Sequence, residues 1–96
     1  MRVMARISIP VESGNAGIQS GALPKTIEAF AERWHPEAMY FTATGGRRTA
    51  YLVFDMPDSS SLPEFAEPFF MGLNAEIEVA PAMTGEDLAA GLARLG

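Results

Sequence analysis

The stretch AMYFTATGGRRTAYLVFD, residues 38–55, decides the fold, because it has the pattern of two strands joined by a tight turn. Ala38–Thr44 and Arg48–Met56 are rich in β-branched and aromatic residues, which favour strands. Gly45-Gly46 between them supplies the positive φ angles that a tight hairpin requires. The pattern predicts an antiparallel hairpin in the middle of the chain.

One further strand is predicted on each side of this hairpin. Arg2–Ile9 alternates between apolar and polar residues, with the period of two that a strand with one buried face shows. Ala75–Met83 is the fourth predicted strand. Pro81 within it suits an edge position, because proline has no amide hydrogen to offer a neighbouring strand.

Helical patterns lie between and after these strands. Val11–Gly21 is rich in glycine and serine and predicts a short irregular helix. A firmer helix starts near Pro24 and stops at His35-Pro36. Ser61-Leu62-Pro63-Glu64 has the pattern of a capping box that starts the next helix, and Thr84–Asp87 caps a last one. The last helix carries an apolar line of Leu88, Leu92 and Leu95.

The order β-α-β-β-α-β plus a terminal helix is the ferredoxin-like pattern of α+β proteins. It predicts an antiparallel sheet, with strand order 4-1-3-2 and helices on one face. The 96 residues form a single domain, residues 1–96, since a second core would not fit. The helix after the hairpin is predicted to bury an apolar cluster of Leu62, Phe65, Ala66, Phe69, Phe70 and Met71.

Charge and composition limit the classes of partner and the cellular compartment that we expect for the protein. Twelve carboxylates against seven lysines and arginines give a net charge of −5, which disfavours nucleic acid and anionic membrane surfaces. The chain has no cysteine, which removes disulfides and fits a reducing compartment. No signal-peptide pattern and no membrane-length apolar stretch is present. We therefore expect a soluble cytoplasmic protein.

The sheet face that the helices leave uncovered is the informative one. It mixes tyrosine, methionine and valine with arginines and acids, which is too apolar for a free surface and too polar for a core. A solvated face is one interpretation, since antiparallel sheets tolerate one. We predict instead a homodimer in which two such faces pack together. The face comprises Met4, Arg6, Tyr40, Thr42, Tyr51, Val53, Asp55, Glu76, Glu78 and Ala80.

Over nearly its whole length the chain resembles the dimeric α+β barrel superfamily, in its succession of strand, helix, glycine-turned hairpin, capped helix, strand and terminal helix. The stretches AEPFFM (66–71), NAEIEV (74–79) and TGEDL (84–88) resemble an uncharacterised family of short bacterial proteins. This resemblance implies the fold and the dimer. Superfamily relatives include isomerases, monooxygenases and ligand-binding regulators, and none of their catalytic motifs matches here, so no reaction is implied.

Four residues of the uncovered face are candidate ligand-binding residues. In the strand order 4-1-3-2, Arg6 has Tyr51 on one side and Glu76 or Glu78 on the other. Tyr40 lies one strand further. An arginine in a half-dry cavity can bind a carboxylate or an enolate, and a tyrosine can donate a proton or stabilise an oxyanion. An ion pair between Arg6 and Glu78 explains the same residues without a ligand.

Two further residues are weaker candidates. His35 is the only histidine and therefore the obvious proton carrier near neutral pH, although a cation at a helix end needs no other role. Arg48, at the end of Thr44-Gly45-Gly46-Arg47-Arg48, can help a glycine turn bind phosphate, although solubilising arginines at a hairpin tip explain it equally. No ligand cluster predicts a metal, and no motif predicts a cofactor.

These features predict a homodimer that binds a small organic molecule, anionic or aromatic, in a cavity at the sheet. The cavity lies either between the sheet and a partner or between the sheet and the helices. The protein is then an isomerase or cofactor-free oxygenase, or a binding module; the alternative is a structural or regulatory interaction domain without a ligand. An enclosed void lined by Arg6, Tyr40 and Tyr51 would favour ligand binding.

Overall fold

A four-stranded antiparallel sheet is the frame of the protein in the computed structural model, which describes residues 1–96. Its strands are β1 (Arg2–Ile9), β2 (Ala38–Thr44), β3 (Arg47–Asp55) and β4 (Glu76–Pro81). Across the sheet they follow the order β2-β3-β1-β4. β1 and β2 have the bounds that the sequence predicts, and Pro81 ends an edge strand, where its missing amide hydrogen leaves no neighbour unpaired.

Four helices complete the α+β fold: α1 (Val11–Ser20), α2 (Ala22–Trp34), α3 (Ser61–Leu73) and α4 (Gly85–Ala93). Residues in the left-handed region end three of them, because that conformation turns the chain out of the helix. Gly21 (φ 85°) follows α1, His35 (φ 46°) follows α2 and Asn74 (φ 53°) follows α3. None of the four is long and apolar enough to cross a lipid bilayer.

The start of α3 differs from the prediction, because the capping box expected at Ser61–Glu64 is wrong. Ser61 lies inside the helix and is buried, and no side chain caps the first turn. The amide and the hydroxyl of Ser60 instead donate to the carboxylate of Asp58, and these hydrogen bonds lower the pKa of Asp58. Glu64 accepts from Arg33 of α2 at 3.0 Å. The turn ahead of the helix therefore uses the residues before the predicted box.

The core lies between the sheet and helices α2 and α3, where four phenylalanines and one tryptophan meet. Phe54 of β3 is only 1% exposed, and its ring lies 5.1 Å from Phe30, 5.6 Å from Trp34 and 4.8 Å from Phe65, between centroids. The first two contacts are edge-to-face, the geometry in which aromatic pairs attract most strongly. Phe69 of α3 completes the cluster.

The apolar stripe of α3 is only partly buried, which corrects the predicted core. Phe65, Ala66 and Phe69 face the sheet, but Leu62 is 43%, Phe70 41% and Met71 84% exposed. The physical reason differs between them: Leu62 and Phe70 border a gap above the edge strand β4, whereas Met71 lies on the outer side of the helix, away from Phe65 and Phe69. A shallow gap of about 230 Å³ remains there, lined by Leu62, Ala66, Phe70, Ile77 and Val79.

Helix α4 begins at the cap that the sequence predicts, and this cap is a capping box. The Asp87 amide donates to Thr84 Oγ1 at 3.1 Å, and the Thr84 amide donates to Asp87 Oδ2 at 2.9 Å. Arg2 also approaches Asp87 Oδ2, at 3.5 Å. These contacts, of which the bond from the Thr84 amide is the strongest, lower the pKa of Asp87 below its ordinary value of 3.8.

Replacing Thr84 with alanine is expected to raise the pKa of Asp87 part of the way back to 3.8, because the hydroxyl half of the box is lost. In the wild type the cap stabilises the folded form at neutral pH, and this contribution is lost as the pH falls below 3.8 through the lower folded value. Carboxyl NMR titration measures both proteins. The Asp58 inflection serves as the control and should not move; an unmoved Asp87 inflection would contradict the role of the hydroxyl.

Candidate functional site

The uncovered sheet face places the four main candidates in one row across the strands. Tyr40 of β2 pairs with Tyr51 of β3, Tyr51 pairs with Arg6 of β1, and Arg6 pairs with Glu78 of β4. Directly opposed residues on a sheet lie about 5 Å apart at Cβ, so each side chain touches the next. The row therefore runs from one edge of the sheet to the other.

Ion pairs already neutralise the arginines of this face. Arg6 Nη2 donates to Glu78 Oε1 at 2.7 Å, and this hydrogen bond, followed by the charge of Glu78, raises the pKa of Arg6. Arg47 approaches Glu76 at 3.7 Å in the same way. The Tyr51 hydroxyl lies 3.4 Å from Thr44 Oγ1. The single chain thus satisfies most polar groups of the face by itself.

The same face is open rather than concave. Tyr40 is 70% and Met4 48% exposed, and no helix passes over them. Four surface depressions of about 230 to 480 Å³ lie elsewhere, and none is lined by Arg6, Tyr51 or Glu78. Any cavity around the predicted row therefore requires a second molecule to close it.

The largest of these depressions is a groove of about 480 Å³ on the helix side of the sheet, along the edge formed by β2. Phe30 and Trp34, near the end of α2, are buried, whereas Leu23 and Ile27, nearer its start, are only half-buried. The first half of α2 therefore leaves a gap above β2. Phe41 faces the helices, yet it is 53% exposed because it forms a wall of this groove.

Arg48 lines the groove and is fixed against α1. Its guanidinium donates to the Val11 carbonyl at 3.4 Å and to Asn15 Oδ1 at 3.1 Å. Gly14 makes this possible, since a Cβ there would collide with Arg48 Nη1. Both acceptors are neutral, and Arg48 takes part in none of the ion pairs of the chain. One positive charge without a carboxylate partner therefore borders an apolar groove.

The glycine turn does not gather two arginines as the predicted phosphate site requires. Gly45 (φ 62°) and Gly46 (φ 77°) form the two-residue turn expected between the strands. Arg47 lies on the uncovered face near Glu76, whereas Arg48 lies on the helix face, because successive side chains of a strand point to opposite sides. The two guanidinium groups are thus separated by the sheet.

His35 lies apart from both surfaces. It ends α2, with its amide donating to the Ala31 carbonyl at 3.1 Å, and its side chain is exposed. Its imidazole makes no hydrogen bond or ion pair with the rest of the chain. The residue thus occupies a helix-ending position outside the row and the groove.

Comparison with known proteins supports the fold. No family model matches the chain, and no curated protein matches it. The solved structure of a protein described as "De novo designed protein Ferredog-Diesel" is similar, with a TM-score of 0.50 and 10% identity, over 84% of this chain and 85% of that chain. At 10% identity this similarity shows a shared small α+β fold and gives no information about activity.

Proposed function

We propose that the protein is a homodimer that binds a small amphipathic acid, a molecule with an apolar body and one carboxylate, in the groove of each copy. The groove is the observation that carries this proposal. Its volume of about 480 Å³ is within the usual range for small-molecule sites, which are mostly apolar with a few placed polar groups. Arg48 is such a group.

The chemistry of the lining selects the ligand class. An apolar body is stabilised by contact with Ile18, Ile27 and Phe41, since it removes their exposed surface from water. A carboxylate at the mouth can accept hydrogen bonds from the donors of Arg48 that Val11 and Asn15 leave free. Glu28 also lines the groove but has no hydrogen-bond partner and can turn to solvent, so the fixed arginine decides the sign of the ligand's charge.

The dimer is supported by the uncovered face. In a ferredoxin-like arrangement the helices shield one side of the sheet, and two free sides can pack together, as in the dimeric α+β barrels that the sequence resembles. Met4, Tyr40 and Tyr51 would then leave water, and the Arg6–Glu78 pair would lie between the sheets. The cytoplasmic location stays a prediction.

Decanoate is the probe that tests the ligand class. We expect the wild type to bind it in isothermal titration calorimetry, and Arg48→Gln to weaken binding at least tenfold, because a charged hydrogen bond contributes about 1.5–3 kcal/mol. Each methylene removed from decanoate should weaken binding about fourfold. Arg94→Gln is the matched control, since Arg94 follows α4, which does not line the groove, and should leave binding unchanged.

Three outcomes would contradict this part of the proposal. The first is no heat of binding with decanoate at millimolar concentration, and the second is equal affinity in the wild type and Arg48→Gln. The third is tighter binding of decylamine, which would assign the groove to Glu28 and a cation. Because Arg48 also contacts α1, Ile18→Glu provides a second variant at an exposed wall, where a carboxylate should repel the probe without disturbing the core.

A second candidate is a structural or regulatory interaction domain without a ligand. The observation that favours it is the Arg6–Glu78 ion pair, which satisfies the main candidate residue of the sheet face at 2.7 Å within one chain. Native mass spectrometry of the purified protein distinguishes the two. A dimer that carries no small molecule and does not take up decanoate would favour the interaction domain.

A further inference from the structure

Helix α4 has the pattern of an amphipathic helix but no surface to cover. Leu88 and Leu92 lie four residues apart on one side of the helix, and Leu95 follows just past its end. Their side chains are 46%, 56% and 81% exposed, and no residue of α4 is buried. Met83, just ahead of the helix, is 68% exposed. The apolar side of α4 is therefore unpartnered within its own chain.

A helix of this length needs packing to persist. α4 has 9 residues, whereas isolated helices shorter than about 12–15 residues are marginal in water. The capping box at Thr84 stabilises its first turn only. The remaining turns therefore depend on a contact that the single chain does not provide.

The chain is more extended than a compact domain, and α4, none of whose residues is buried, lies outside the core. The radius of gyration is 15.0 Å, against about 12.5 Å for a compact domain of this length, and the longest dimension is 54 Å. The helix follows the edge strand β4. Its first turn is tied by Asp87 to Arg2, on the polar side of β1. α4 thus leaves the protein beside the uncovered face, where a second copy would sit.

The size of the uncovered face also favours a second copy of the chain as the partner of α4. Four strands with spacings of about 4.8 Å, and about seven residues each, give a face of roughly 450 Å² in projection. Specific interfaces usually bury about 800 Å² of accessible surface on each partner. A leucine stripe added by each copy brings the contact closer to that size.

We infer that α4 is an arm that packs its leucine stripe against the second copy, so that two exchanged arms and the paired sheets hold the dimer together. This inference rests on the homodimer of the proposed function. The second copy is preferred to the chain's own α3–β4 gap, because reaching that gap on the helix side would require α4 to break the Arg2–Asp87 contact.

Sedimentation equilibrium of the double variant Leu88→Gln/Leu92→Gln tests the arm. We expect its dimer dissociation constant to rise at least a hundredfold over the wild type. The control, Leu62→Gln/Met71→Gln, makes comparable changes at exposed positions of α3 and should alter it less than threefold. Amide hydrogen exchange of residues 85–93 gives an independent readout. It should be at least tenfold slower in the wild-type dimer than in a folded monomer produced by Met4→Glu.

The outcomes separate the arm from the dimer. A wild-type protein that stays monomeric overturns the homodimer and the arm together. A wild-type dimer whose dissociation constant is unchanged in the leucine variant overturns the arm alone. Equal exchange rates for residues 85–93 in dimer and monomer would also overturn it, because α4 would then pack on its own chain or on nothing.

Discussion

Replacing Met4 with glutamate is expected to convert the proposed homodimer into a folded monomer. Met4 lies on the central strand β1, between Val53 and Ala80 of the neighbouring strands, and is 48% exposed in one chain. A glutamate there reaches water in the monomer, so the fold should tolerate it. In the dimer its carboxylate would be buried without a partner, which costs several kcal/mol. We expect the dissociation constant to rise at least about a thousandfold.

The matched control is Met71→Glu, the same chemical change on the outer side of α3, where the methionine is 84% exposed. It alters the net charge equally, so a general effect of charge would appear in both variants. Light scattering at micromolar concentration should report a dimer for Met71→Glu and a monomer for Met4→Glu. A Met4→Glu protein that stays dimeric would show that the sheet face is not the interface.

Replacing Phe54 with alanine is expected to cause the largest loss of folding stability. Its ring contacts Phe30, Trp34 and Phe65, so truncation leaves a cavity among three aromatic rings. Phe→Ala changes in cores cost about 3–5 kcal/mol, a large part of the roughly 5–15 kcal/mol of a small domain. The melting temperature should fall by at least about 12 °C.

Phe41→Ala provides the comparison, because it removes the same atoms on the same side of the sheet. Phe41 is 53% exposed in the groove wall, so it has fewer contacts to lose, and its melting temperature should fall by less than half as much. Calorimetry of both variants without added ligand measures the difference. An equal fall in melting temperature in both variants would contradict the placement of the core under the second half of α2.

The parts of the fold that depend on residues close together in the sequence were predictable from it. The alternation in Arg2–Ile9 and the pair Gly45-Gly46 act within a few residues, and both features are confirmed. The same holds for the capping box at Thr84 and Asp87, which needs only its own turn. The short turn accounts for the pairing of β2 with β3 and hence of Tyr40 with Tyr51, whereas Arg6 and Glu78 join the row through pairings between strands that are far apart in the chain.

Predictions that depended on what lies beside a helix were less successful. The spacing of Leu62 and Phe70 marks an apolar side of α3, but spacing does not tell whether an edge strand is wide enough to cover it. Ser61 and Glu64 have the right interval for a capping box, yet Ser60 donates to Asp58 and the helix starts at Ser61, one residue earlier than a Ser61 cap would place it. In both cases a tertiary neighbour decided the outcome.

The groove could not be predicted from pattern alone, because it depends on how far α2 stands from β2. One signal was nevertheless present. Gly14 is placed inside a helix, where glycine is unfavourable, and the structure shows that this position accommodates Arg48. A helical glycine with no turn to explain it therefore indicated a close contact, and Arg48, a weaker candidate from sequence, becomes the central residue of the proposed ligand site.

Sedimentation equilibrium of the wild-type protein across micromolar concentrations tests the central claim, that the uncovered sheet face is an interface between two copies. We predict a particle of twice the 10.3 kDa chain mass that dissociates only on dilution below this range. A single 10.3 kDa species at every concentration would contradict the claim, and with it the exchanged arms.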